Sequence, residues 1–90
     1  MKKLNVKLDS KMYDYLLSIW AGAKTRKLYY ENRMTEQERK ILDSCMAESF
    51  KVLDKNNISF YIQNSIMWHG QNNLDCYFSD TLQELGIEFI

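Results

Sequence analysis

Proline is absent from this chain, glycine occurs three times, cysteine twice and histidine once. Each shortage excludes something. Two cysteines, Cys45 and Cys76, are too few and too scattered for a disulfide framework. No CxxC occurs, and one histidine cannot complete a zinc site with them, so no structural metal or other cofactor is expected. No apolar run approaches the ~18 residues of a membrane span. The opening MKKLNVKLDS is basic but then alternates, unlike a signal peptide, and a cytoplasmic protein is the expectation.

The most informative absence concerns charge. Net charge is zero, yet Lys and Arg stop at residue 55. Residues 1–55 hold all twelve of them against eight acids, and residues 56–90 hold only Asp75, Asp80, Glu84 and Glu88. A polarised surface is expected, basic in the first half and acidic in the last third. Abundant Lys, Asn, Ile and Tyr have AT-rich codons, which suits a low-GC bacterium or its phage.

What is present is ordinary for a folded protein. A hydrophobic share of 46% argues against wholesale disorder. With no repeat, linker or low-complexity stretch, residues 1–90 form one domain. Leu4, Val6 and Leu8 alternate as in a half-buried strand. Asp9 or Ser10 then caps a helix with Tyr13, Leu16, Leu17, Trp20, Ala23 and Leu28 near one face, ending near Asn32. Thr35-x-x-Glu38 is a capping box, opening a second helix with Ile41, Leu42, Cys45, Met46, Val52 and Leu53 on one side. Lys55, Asn56 and Asn57 suit its end.

From Asn57 the period changes. Ile58, Phe60, Ile62, Ile66 and Trp68 share one parity, which reads as a strand broken only by Asn64. HGQNN reads as a turn, after which Leu74, Cys76 and Phe78 resume the alternation. Ser79 or Asp80 caps a short third helix stopped by Gly86, and IEFI is a terminal strand. The order β-α-α-β-β-α-β predicts an α+β domain. Its two main helices pack on one face of a mainly antiparallel sheet.

Candidate chemistry is sparse. His69 and Cys76 would need hydrogen-bond contact to act together, whereas the hairpin puts His69 at the turn and Cys76 on the buried parity. Cys45 reads as a small core residue on the second helix. Glu36 and Glu38 are explained by the helix start, and Asp80 with Glu84 by a solvated helix face. No P-loop, GxGxxG, GxSxG or HExxH occurs, so an enzyme is not expected.

Two binding surfaces remain. On the parity away from the helices, the sheet would display Tyr61, Met67 and Tyr77 with Asp75, and Asp80 and Glu84 on the short helix beside them. Aromatic residues and methionine are enriched in protein interfaces and Lys is depleted there. The expected function is therefore binding another protein, as a phage or mobile-element factor that inhibits or redirects a host protein would do. Self-association is a second mode, since the basic and acidic parts are complementary. The alternative is a nucleic-acid accessory role for KTRKLYYENR. There Lys24, Arg26, Lys27 and Arg33 would meet phosphates while Tyr29 and Tyr30 stack on bases. The lack of any cation after residue 55 argues against this alternative.

Overall fold

The computed structural model describes residues 3–32 and 34–90. Four helices dominate: α1 (Tyr13–Glu31), α2 (Glu36–Lys55), α3 (Phe60–Asn72) and α4 (Phe78–Leu85). Two short strands, β1 (Val6–Leu8) and β2 (Ile87–Phe89), pair in parallel with Val6 opposite Ile87. The expected mainly antiparallel sheet does not form, and the order is β-α-α-α-α-β.

Local chemistry explains most element boundaries. The Asp9 carboxylate accepts the Lys11 N–H at 2.9 Å and starts a 3-10 turn, Ser10–Met12, that leads directly into α1. In α1 the buried positions Leu16, Ile19, Trp20 and Ala23 recur every three or four residues, so one stripe of the helix faces inward. At the start of α2, Thr35 Oγ1 accepts the Glu38 N–H at 3.2 Å and Glu38 Oε1 accepts the Thr35 N–H at 3.2 Å. The capping box is thus made from both sides.

The end of α2 prepares the start of α3. Asn57 takes a left-handed conformation (φ 62°). The Asn57 N–H donates to Asp54 O and the Ile58 N–H to Leu53 O, both at 3.0 Å. This is a Schellman ending, sealed by apolar contact between buried Ile58 and buried Leu53. The next residue, Ser59, is then free to cap a new helix, and its hydroxyl accepts the Ile62 N–H at 3.3 Å.

Here the strand reading of 57–68 fails. Ile58, Ile62 and Ile66 are four apart, so their spacing fits a helix as well as a strand. The other members of the apolar parity settle the matter: Phe60 is 75% exposed and Trp68 48% exposed. The buried side of α3 is instead completed by Gln63, Ser65, His69 and Gly70. Apart from His69 Nε2, its polar side-chain groups are met locally or by a neighbour. Gln63 Nε2 donates to Asp54 Oδ1 at 2.7 Å and to Ile58 O at 2.8 Å, and Ser65 Oγ donates to Tyr61 O at 2.8 Å.

The second expected strand, Leu74–Phe78, is a connection into α4. Cys76 N donates to Asn73 O, and Lys24 Nζ reaches from α1 to Cys76 O at 2.6 Å, tying the connection down. The helix α4 starts before the predicted Ser79 or Asp80 cap, with Tyr77 as an N-cap that uses no side-chain bond. It ends at Gly86, whose φ of 69° suits glycine.

Helix α1 is the hub, packed against both α2 and α3. One apolar core joins Leu8, Met12, Leu16, Leu53, Ile66 and Leu85 across all of these elements, including the strand pair. Rings of Tyr13 and Trp20 meet Phe78 edge-on or tilted, with centroids 5.3 and 5.5 Å apart, and so bind α4 to α1.

The capping box carries a prediction about acid. Hydrogen bonds from the Thr35 hydroxyl and then the Thr35 backbone hold the Glu38 carboxyl below its ordinary value of 4.5. A lowered carboxylate contributes stability above its unfolded value and loses it as pH falls through the lowered one. Thr35→Ala is expected to cost about 1 kcal/mol at neutral pH. Urea titrations of the two proteins should show that deficit narrowing below pH 4.5, where Glu38 protonates. An equal deficit at every pH would mean the carboxylate half of the box adds nothing.

Candidate interface

The reactive reading of His69 and Cys76 finds no geometry to support it. His69 lies in α3, not at a turn, and is 1% exposed. Its Nδ1 pairs with Asn73 Nδ2 at 3.1 Å, and Glu84 Oε2 stands 3.9 Å away. The Cys76 thiol, expected to be buried, is half-exposed and meets the Thr81 hydroxyl at 3.2 Å, so the two residues do not bond to one another. Cys45, expected in the core, is exposed because the buried stripe of α2 runs through Met46, Ser49 and Leu53 instead. Among the described residues no group of three or more His, Cys, Asp or Glu is placed to hold a metal ion.

An open depression of about 600 Å³ lies beside the strand pair, bordered by Asn5, Lys7, Gln83 and Glu88. The buried polar atoms without a partner, on Trp20, Arg39 and His69, are not among its lining residues.

The basic-aromatic segment proves to be internally engaged. Lys24 sits 4.5 Å above the Trp20 ring as well as on Cys76 O. Arg26 pairs with Asp43 across the α1–α2 hairpin, and Lys27 with Glu31 at 2.9 Å. Tyr29 and Tyr30 are exposed, with the Arg39 guanidinium 5.4 Å from the Tyr30 ring. Arg33 lies outside the described residues. These exposed ion pairs are weak and can be exchanged for phosphates, but each exchange gives up a partner already in place.

The expected open sheet face is replaced by something different. Tyr61 and Met67 are on α3, Asp75 is exposed in the connection after it, and Tyr77 precedes α4 at 74% exposure. Asp80 and Glu84 do lie exposed on α4. These six residues lie on two helices and the connection between them, not on the face of a sheet.

What sequence parity concealed is the outer face of α3. Phe60, Tyr61, Asn64, Met67, Trp68 and Gln71 fall within one sector of the helix, away from its buried side, although Asn64 and Met67 are half-buried and Met67 packs against the core. Phe60, Tyr61 and Trp68 are respectively 75%, 57% and 48% exposed. No Asp, Glu, Lys or Arg occurs from Asn56 to Leu74, so this face is aromatic, amide-bearing and uncharged. A second exposed apolar group, Leu28, Tyr29, Tyr30 and Ile41, differs in being interleaved with Lys27, Glu31, Lys40 and Asp43. A signal for the α3 face was available in the sequence: an S-x-x-I start followed by aromatics at i, i+1 and i+8.

Among the described residues no helix is long and apolar enough to cross a membrane. Comparison of the chain with protein-family models, with curated proteins and with solved structures finds no match.

Proposed function

We propose that this protein works by binding another protein, and that the outer face of α3 is its contact surface. The supporting observation is the exposure of Phe60, Tyr61 and Trp68 on a helix without a single charged side chain. Interface centres are depleted of charge and rich in aromatics, which supply contact area at low entropic cost. Exposed apolar surface of this kind, gathered on one element, is unusual where it serves no contact. The acids Asp75, Asp80 and Glu84, together with Tyr77, stand on the neighbouring connection and α4, where they would contribute a polar rim.

A binder of this size acts by occupying its partner's surface. That is how an inhibitor or adaptor of a host protein would operate, and it keeps the mobile-element reading open to test. The test is capture from a low-GC bacterial lysate after nuclease treatment, with wild-type protein and a Phe60→Ser, Trp68→Ser variant side by side. A protein held at near-stoichiometric amount by the wild type and lost from the variant is the expected outcome. Capture that nuclease abolishes would instead point to nucleic acid and the Lys24–Tyr30 segment, and identical capture by both proteins would exclude α3 as the contact.

A further inference from the structure

We infer that the partner of the α3 face is a second copy of this chain, docked antiparallel about a two-fold axis at Asn64. This deepens the protein-binding reading and rests on it. The side chains of the face are arranged almost symmetrically around Asn64. Phe60 and Trp68 lie four residues to either side, and Tyr61 and Met67 three to either side. A two-fold axis at that point sets Phe60 of one copy beside Trp68 of the other, and Tyr61 beside Met67, twice over. The levels on either side of the centre then each hold a ring and an apolar neighbour.

Asn64 would meet its own copy, amide to amide, at the centre. A lone asparagine in an apolar seam favours the register in which its amide finds a partner. The mutual orientation also runs the two α3 dipoles in opposite directions, which is favourable for adjacent helices. Because the face carries no formal charge, a second copy brings no like-charge repulsion to it.

The flanks are compatible with this arrangement. Gln63, which holds Asp54, and Gly70, which packs on α1 at Trp20, lie on the same side of α3. Farther along α1, Arg26 and Lys27 border Gln71. The antiparallel arrangement brings the Asp54 end of one copy towards the Arg26–Lys27 end of the other, where Arg26 and Lys27 already hold Asp43 and Glu31, so the rim carries charges of both signs.

Area sets the size class of the contact. Aromatic side chains expose ~150–250 Å² each when free, so the exposures of Phe60, Tyr61 and Trp68 leave roughly 350 Å² of ring surface per copy. Two copies cover about twice that, and Asn64, Met67, Gln71 and Asn72 bring the contact near the ~1,200 Å² lower limit of specific interfaces. An interface at that limit belongs with weak, transient contacts, so the dimer dissociates on dilution.

Sedimentation equilibrium over a wide concentration range tests this on the full chain. The expected result is a concentration-dependent rise from the monomer mass of 10.8 kDa towards twice that value. Phe60→Ser with Trp68→Ser should raise the dissociation constant by at least about 30-fold while leaving the far-ultraviolet spectrum helical. Register is tested separately by oxidising Asn64→Cys in a background of Cys45→Ser and Cys76→Ser. That variant should cross-link to itself, and Phe60→Cys in the same background should not.

A monomer at every concentration, or a dimer indifferent to Phe60 and Trp68, overturns the inference, and so does equal cross-linking at both positions. The protein-binding reading fails on a different observation, the lysate capture. A monomer that still loses a captured partner on Phe60→Ser, Trp68→Ser substitution would keep that reading and discard only the second copy.

Discussion

Gly70→Ala is expected to destabilise the protein by about 2 to 3 kcal/mol, although alanine is the better helix former. A Cβ at residue 70 would lie 2.3 Å from the Trp20 carbonyl oxygen, 3.1 Å from its carbon and 3.3 Å from its Cα. All three atoms belong to the backbone of α1, which cannot turn aside as a side chain can. The helices α1 and α3 would have to separate, and their contact includes core residues such as Leu16, Ile19 and Ile66. Helix propensity returns only about 1 kcal/mol of the loss. For a domain of this length the net effect corresponds to a fall in melting temperature of roughly 10–20 °C.

Gly22→Ala is the matched comparison. Its Cβ would lie 2.6 Å from Met46 Sδ and 2.7 Å from Met46 Cγ, atoms of a buried but flexible side chain and not of backbone. Methionine has three rotatable bonds and can move away, so the change should stay within about 1 kcal/mol of wild type. Urea unfolding followed by circular dichroism gives both values. Equal stability of Gly70→Ala and wild type would mean that α1 and α3 do not cross at Gly70.

The second large effect separates two readings of the same residues. Ile66 is fully buried, and Ile66→Ala should cost about 3 to 4 kcal/mol through lost burial and the cavity left behind. Phe60 is 75% exposed, and Phe60→Ala should lie within about 0.5 kcal/mol of wild type when measured in dilute solution. A strand that buried the even-numbered side chains would lose several kcal/mol at both positions. Comparable losses at Phe60 and Ile66 would therefore falsify the helical assignment of this segment.

The contrast shows why the middle of the chain misleads. Over Ile58–Trp68 the apolar residues favour an alternation of two, and the residues that decide for a helix are polar. Gln63, Ser65 and His69 look like outward-facing positions until their partners are known. Asp54 Oδ1 and Ile58 O serve Gln63, Tyr61 O serves Ser65, and Asn73 serves His69. Most of these partners lie within the turns of α3 itself or at the end of α2, so they exist only once the helix does. A similar reason hides the surface: Phe60 and Trp68 read as core because they share parity with Ile62, whereas a helix turns Phe60 some 200° away from Ile62.

Where side-chain chemistry acts within a few residues, sequence was sufficient. The Thr35–Glu38 box, the closing Lys55–Asn57 and the Gly86 stop follow from short-range hydrogen bonds and turn chemistry. The apolar stripes of the two long helices follow only in part: Leu16, Trp20, Ala23, Met46 and Leu53 are buried, but Leu28, Ile41 and Cys45 are exposed and buried Ile19 is not among the expected positions. The charge asymmetry and the uncharged stretch from Asn56 to Leu74 are properties of order alone. The tertiary structure decided the rest: that residues 60–72 are a helix, that the strands at the two ends pair in parallel, and that aromatic side chains cover the outside of α3. Those outcomes depend on contacts between distant parts of the chain, such as Gly70 against the Trp20 carbonyl and Lys24 on Cys76 O. Periodicity ranks which side chains prefer burial, but only packing against α1 determines which of them have a surface to be buried against.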